Sequence, residues 1–425
     1  MNTRSLITPI ALSLALFAAP AFAAPKSAKP AAPAAASADI EISSQLPKDK
    51  QEALQALIAR FNESNKGARI VLTDRAWDAG APAAAQILDG ASEDAFLTGK
   101  QRYKPLFAVV KDAGVKLDVA ERASPVVAPV AIDAKGRLLG LPIGLATPVF
   151  FINQDVFRKN GLDPAAAPHT WAEVQDTAGK LIDAGVACPL TVARPATVLL
   201  ENTAAWHNEA FVNAKGEVAV NGLSYVRHLA RMASWQKSRY LQLFGHGDEA
   251  VDRFASGSCA MLIAPQSAMP VASKGGFSIG VSALPYYQDV PGAHQNTIAD
   301  GPALWVSAGR SAAEYKTIAR FVAFWLEPTQ QVDWMRATGY LPLNRAGYFA
   351  ASSRTLGAEL GHIKIAVDQL IATPATANSR ATVLGSSPRV LQVLNDELDS
   401  VWNQGKAAKL ALDEAVARIR ALGIR

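Results

Sequence analysis

Apolar residues recur at i, i+3, i+4 and i+7 in "KDKQEALQALIARFNESN" (48–65), where Leu54, Leu57, Ile58 and Phe61 predict an amphipathic helix. "RIVL" (69–72) follows as a short strand, and "YKPLFAVVKDAGV" (103–115) as a second helical stretch. "GRLLGLPIG" (136–144) reads as a hairpin edge. It leads into "GLATPVFFIN" (144–153), where Val149 to Asn153 read as a strand running into a helix cap, with the short helix ending at Gly161. Thr170 and Glu173 make a capping box for a helix that stops at Gly185. Ser311 and Glu314 repeat the device for a helix to Leu326, with Pro328 as the stop. Two amphipathic helices close the chain. Leu391, Leu394, Leu398 and Val401 mark the first, and after Gly405 the residues Ala408, Ala411, Leu412, Ala415, Val416 and Ile419 mark the second. Helix and strand alternate without an internal repeat, which places the chain in the α/β class.

The chain has 425 residues, half of them hydrophobic, so two lobes with their own cores are expected. Only 19% of residues are charged, yet no apolar run inside the body reaches membrane-spanning length. The N-terminus differs. Arg4, then an apolar run from Leu6 to Phe17, then Ala21-Phe22-Ala23, fit a secretory leader over residues 1–23. The run is too short for a membrane anchor, so an exported protein is expected. "APKSAKPAAPAAASA" (24–38) reads as a semi-extended linker. Without Arg4 the 42 Lys and Arg fall to 41 against 37 acids, a charge of about +4. That mild excess suits anionic solutes. No Lys/Arg stripe with interleaved aromatics appears, so nucleic acid is not an expected partner.

Cys188 and Cys259 are the two cysteines. In an oxidising compartment they invite one disulfide, the alternative being two free thiols. The bond closes a loop of about 70 residues, worth roughly 4 kcal/mol in the chain-entropy model. There is no CxxC, no GxSxG, no Walker loop and no GxGxxG, so neither a catalytic constellation nor a cofactor site emerges. "GHGDEAVDRF" sets His246 near Asp248 and Glu249; a polar loop ahead of a helix explains this more simply than a metal or a hydrolase site.

Three stretches carry a resemblance: "TPVFFINQDVFRKNGLDPAAAPHTWAEV", "RFASGSCAMLIAPQSAM", and "DGPALWVSAG" with "FVAFWLEPTQQVDWMRATGYLPLNRAGY". Together they resemble the family 1 extracellular solute-binding proteins of ABC importers, over about residues 50 to 425. The family pattern YYN-D-FKKAGLDP-PKTW is met by Phe151 to Trp171. LEN-SAW is met by Leu200-Glu201-Asn202 and Ala205-Trp206, and DELDSVW stands at 396–402. The resemblance implies a two-lobed periplasmic-binding-protein fold of type II-like form, with a solute cleft between lobes joined by hinge strands. The implied lobes are 39–148 plus about 302–345, and 149–301 plus about 346–425. "TPVFFIN" is the implied first crossing between them and "GPALWVS" (301–307) the second. A monomer of this kind hands a small polar solute to membrane permease subunits that work with an ATPase.

Within the family, the similarity runs to the branch that binds glycerol-3-phosphate and its phosphodiesters. Gly301 and Tyr340 stand at matching site positions. Elsewhere the residues differ. Ala146 replaces a hydroxyl, with Thr147 beside it. Pro265 replaces a serine, with Gln266 and Ser267 adjacent. Leu391 replaces a phosphate-pairing arginine, with Arg389 two residues before. Asp78 replaces a tyrosine, with Trp77 beside it. Arg194 and Thr197 replace indoles, and Glu93 and Asp94 fall in a shortened loop around 89–101. The expected ligand contacts are therefore Gly301, Tyr340, Trp77, Asp78, Gln266, Arg389, Arg194 and Thr147. Each lost charge-assisted hydrogen bond is worth about 1.5–3 kcal/mol, so phosphate affinity depends on compensation by Arg194, Arg389 or Gln266. The alternative is a two-lobed protein for another solute, or one with a sensing or interaction role.

Overall fold

A computed structural model describes residues 39–78, 80–97, 103–117, 131–133, 135–291, 293–351 and 359–424. The leader and linker lie outside the described residues. The first part of the chain supplies β1 (Ile40–Ser44), α1 (Lys48–Ser64), β2 (Ile70–Thr73), β3 (Ala85–Leu88), α2 (Gly90–Leu97), α3 (Leu106–Ala113) and β4 (Leu141–Pro142). The middle supplies β5 (Pro148–Asn153), α4 (Gln154–Lys159), α5 (Trp171–Asp183), β6 (Cys188–Val192), a π-helical turn (Ala196–Asn202), α6 (Thr203–Trp206), α7 (Leu223–Lys237), β7 (Leu241–Gln242), α8 (Glu249–Ala255), β8 (Cys259–Pro265), α9 (Met269–Ala272) and β9 (Ile279–Ser282). Then come β10 (Ala303–Val306), α10 (Ala312–Trp325), α11 (Pro328–Thr338), α12 (Arg345–Ala351), α13 (Gly361–Ile371), α14 (Pro388–Gln404) and α15 (Ala408–Ala421).

Two five-stranded mixed sheets result, in the orders β2-β1-β3-β10-β4 and β7-β6-β8-β5-β9. In each, one strand runs against its neighbours: β10 is antiparallel to β3 and β4, and β5 to β8 and β9. Every residue of β5, β6 and β8 is buried, as continuous apolar strands covered on both faces should be.

Local chemistry sets the helix limits. Both halves of the capping box form at Thr170–Glu173 and at Ser311–Glu314, and the Asn153 side chain accepts from the amides of Asp155 and Val156. α1 buries Leu54, Leu57, Ile58 and Phe61 in the core beside the first sheet, and Lys50 is buried too. The helix expected over 103–115 is confined to Leu106–Ala113, between Pro105 at its cap and Gly114 at φ +66°. Residues 90–97, expected as loop, are helical.

One core gathers Ile42, Leu54, Phe61, Leu304, Phe321 and Trp325 beside the first sheet. A second gathers Phe150, Trp171, Leu190, Trp235, Leu394 and Leu412 beside the second. Cys188 and Cys259 are register partners on β6 and β8, with Cα atoms 4.6 Å apart, and form a disulfide. No helix among the described residues is long and apolar enough to cross a membrane.

The passage between sheets differs from the expected one. Pro148–Asn153 pairs entirely within the second sheet and Ala303–Val306 within the first, because each strand finds its hydrogen-bond partners there. The segments just before them make the crossing. Ala146 and Asp300 exchange backbone hydrogen bonds of 2.9 and 3.0 Å, and the Ile143 amide donates to Pro302 at 2.9 Å. A third segment joins when the Leu341 amide donates to the Leu145 carbonyl at 2.9 Å.

Candidate functional site

The three crossing segments touch through glycine. Gly301 has φ +152°, and a Cβ there would stand 2.0 Å from the Gly144 oxygen. A Cβ on Gly144 would meet Pro302 at 2.4 Å and the Tyr340 ring at 2.9 Å. Gln266 locks the same junction. It is fully buried; its Oε1 accepts from the Thr147 amide (2.7 Å), while its Nε2 donates to the carbonyls of Gly339 (3.2 Å) and Leu145 (3.3 Å). Gln266 is thus committed to the crossing, whereas the fully buried Thr147 gives it only backbone groups and its Oγ1 has no hydrogen-bond partner. The Gly301 amide is engaged as well, donating to Asp300 Oδ1 at 2.7 Å.

Polar side chains from both sheets converge beside this junction. Arg194 leaves β6 at φ 49° and binds Asp248 through two hydrogen bonds of 2.8 Å, Nε to Oδ1 and Nη2 to Oδ2. The pair keeps solvent contact, the side chains being 49% and 54% exposed. Protein crowding opposes the charge on Arg194, but the bonds to Asp248 outweigh it and raise its pKa, with Tyr340 and Asp89 adding to the rise. Crowding likewise opposes the charge on Asp248, yet Arg194 and Lys50 hold its carboxyl below the usual range.

The first sheet's elements contribute Lys50, Asp89 and Tyr340. Lys50 is buried, 3.7 Å from Asp49, and burial lowers its pKa against the pull of Asp49 and Asp248. Its ammonium sits 5.2 Å from the centre of the Tyr340 ring. Protein atoms around Asp89 push its carboxyl up, with Arg194 opposing. Tyr340 is buried against Trp334, its ring centre 6.2 Å away. Among the described residues its hydroxyl has no hydrogen-bond partner. Burial raises the phenol, so it stays a donor.

Two buried carboxyls complete the surroundings. Burial pushes Glu201 up to about 8, with the charge of Asp300 adding, and its Oε1 has no hydrogen-bond partner. Burial also pushes Glu93 up to about 8; the 2.7 Å bond from Trp305 Nε1 opposes, and Asp300 and Asp89 add. Burial raises half-buried Asp300 in the same direction. The site offers hydroxyl, guanidinium and ammonium donors next to carboxylate acceptors, a set suited to a polyhydroxylated solute with at most one full negative charge.

The remaining expected contacts lie elsewhere. Arg389 on α14 pairs with Asp94 on α2 at 3.3 Å. Trp77 is half-buried edge-on against Phe96, ring centres 5.8 Å apart. Exposed Asp78 accepts from the Gly80 amide at 2.8 Å. Leu391 packs against the second core, and Pro265 ends β8 opposite Pro148. His246 Nε2 lies 2.9 Å from Asp399, and no group of three or more potential metal ligands occurs among the described residues. Lys50, Asp89 and Asp300 were not expected at the site. Lys50 carried a signal: it stands four residues before Leu54 on the helix's apolar stripe, where a charge is out of place.

The sequence profile of the bacterial extracellular solute-binding proteins matches residues 56–348. The sn-glycerol-3-phosphate-binding periplasmic protein UgpB of Pectobacterium atrosepticum is 31% identical over 411 residues, 92% of each chain. The protein of that name from Salmonella typhimurium is 32% identical over 387 residues, 86% of this chain and 88% of that one. Among solved structures, UgpB from Mycobacterium tuberculosis in complex with glycerophosphocholine has a TM-score of 0.74 at 19% identity, over 90% of this chain and 98% of that one. Maltose-bound MalE3 of T. maritima has a TM-score of 0.68 at 16% identity, over 91% of this chain and all of that one. The chain belongs to the bacterial extracellular solute-binding proteins, the receptors of ABC importers, and has their two-lobed α/β fold.

Proposed function

We propose that this chain captures a glycerophosphodiester, or a similar monoanionic polyol, between lobes formed by 39–148 plus about 302–345 and by 149–301 plus about 346–425. A solute touching both lobes binds the closed form better than the open one and shifts that equilibrium. The closed monomer then docks on two permease subunits driven by an ATPase and itself performs no catalysis. Residues 1–23 act as a leader cleaved after Ala23, which delivers the protein to the periplasm.

The observation that carries this reading is the convergence of Arg194, Asp248, Lys50 and Tyr340 beside a crossing that needs glycine at 144 and 301. A monoanion fits better than a dianion because the nearby cations already have acidic neighbours: Arg194 has Asp248 and Lys50 has Asp49. Leu391, in place of an arginine, points the same way. In calorimetry on the mature protein, glycerophosphocholine should bind more tightly than glycerol-3-phosphate, and small-angle scattering should show compaction on binding. Silence toward phosphodiesters, glycerol phosphate and sugars, with no compaction, would leave the sensing or interaction role as the better reading.

A further inference from the structure

α7 and the π-helical turn 196–202 enclose a cavity of about 350 Å³. None of the crossing residues lines it. Its wall is apolar and aromatic: Leu199, Leu200, Tyr225, Tyr287 and Val290, with His228 held by its Nδ1 2.7 Å from the Tyr287 hydroxyl. Burial depresses His228 to about 3, so the wall carries no charge at neutral pH.

The rim is different. Leu223, Arg227 and Arg231 stand four residues apart along one stripe of α7, and Leu223 is 74% exposed. Arg227 is occupied by Asp289 at 3.1 Å, and the Glu209 carboxylate accepts from the Ser224 hydroxyl at 2.7 Å. The Arg231 guanidinium lies 4.9 Å from the centre of the Tyr287 ring, makes no hydrogen bond or direct ion pair among the described residues, and shares the field of Asp289 with Arg227. One guanidinium without a direct hydrogen-bond partner thus stands over an apolar chamber, on a rim that also holds Arg227, Asp289 and Glu209.

We infer that this cavity is a second ligand site, for a small amphipathic monocarboxylate whose hydrocarbon part fills the chamber and whose carboxylate meets Arg231. A guanidinium fork matches a carboxylate in plane and hydrogen-bond spacing. The volume lies near the lower end of small-ligand pockets, roughly 300–1,000 Å³, which limits the ligand to a medium-length chain. A polyol is a poor fit, since its hydroxyls would lie unpaired against Leu199, Leu200 and Val290. The turn that supplies Leu199 and Leu200 continues into Asn202, whose Oδ1 accepts from the Ile298 amide at 2.8 Å, just ahead of the crossing at Ala299 to Pro302.

The test is calorimetric titration of the full mature protein with octanoate and with octanol. Octanoate should bind saturably, one per chain. Arg231→Gln should weaken octanoate at least tenfold and leave octanol unchanged. Ala230→Trp, at an exposed lining position, should abolish both, while circular dichroism and the melting temperature stay as in the parent. Tyr340→Phe should leave octanoate binding intact, which separates this site from the crevice and from the fate of the solute reading. Absence of saturable octanoate binding overturns the inference. So does octanoate binding that ignores both rim changes or that responds to Tyr340→Phe.

Discussion

Arg194 and Asp248 meet through two parallel 2.8 Å hydrogen bonds, where charges from elements of both sheets reach them. The pair is half-exposed, so it contributes only about 0–1 kcal/mol to folding. Its weight falls on the solute. Arg194→Gln should cost about 1.5–3 kcal/mol of binding, roughly 10- to 100-fold, with the melting temperature nearly unchanged. Asp248→Asn releases the guanidinium and should tighten an anionic solute. Calorimetry on both variants checks the two opposite signs, and weakened binding in both would remove Arg194 as a direct contact.

Tyr340 carries a phenol with no protein partner among the described residues. Tyr340→Phe should therefore leave stability within about 0.5 kcal/mol of the parent, as no buried partner is stranded. Solute binding should fall about three- to tenfold, the worth of one neutral hydrogen bond. A urea melt paired with a solute titration separates the two effects.

Gly301 has no room for a side chain, since a Cβ would overlap the Gly144 carbonyl oxygen at 2.0 Å. Gly301→Ala should destabilise by at least about 2 kcal/mol through backbone strain and displaced crossing segments. Gln266→Leu should cost about 1–3 kcal/mol, because it strands the Thr147 amide and the Gly339 carbonyl and leaves the Leu145 carbonyl with the Leu341 amide alone. Denaturant midpoints at constant m-value measure both.

Glu201 supplies a pH dependence. Its folded carboxyl is pushed from 4.5 up to about 8, so the folded state holds a proton that the unfolded chain has released across that interval. The associated stability is full below pH 4.5 and is lost as pH rises through 8, at about 1.4 kcal/mol per pH unit while the difference persists. Glu93 acts in the same sense and window. Glu201→Gln imitates the protonated form. It should match the parent near pH 4.5 and exceed it at pH 8, and equal slopes in the two stability profiles would remove Glu201 as the cause.

Cys188 and Cys259 close a loop with a sequence separation of 71. Their joint replacement by alanine should cost roughly 4 kcal/mol, most of it through the freed unfolded chain. Reductant should shift the parent's midpoint and leave the alanine variant unmoved.

Much of the architecture is local and was readable from the chain. Asn153, Thr170 with Glu173, and Ser311 with Glu314 start their helices through hydrogen bonds spanning two or three residues. The apolar stripes of α1, α14 and α15 needed only helical spacing. The ordered family stretches then implied the two-lobed form and, with it, Arg194 and Tyr340 as site residues. Contacts made across long stretches of chain were decided by the tertiary structure alone. Gln266 became a clamp because Thr147 reaches it from 119 residues away, and Arg194 found Asp248 across 54. Lys50 and Asp89 entered the crevice, and Arg231 came to stand unpaired over a chamber, through the packing of elements with no sequence signal for one another. A hydrogen bond within one turn is written in adjacent residues, whereas which side chain faces a gap depends on where every other element comes to rest.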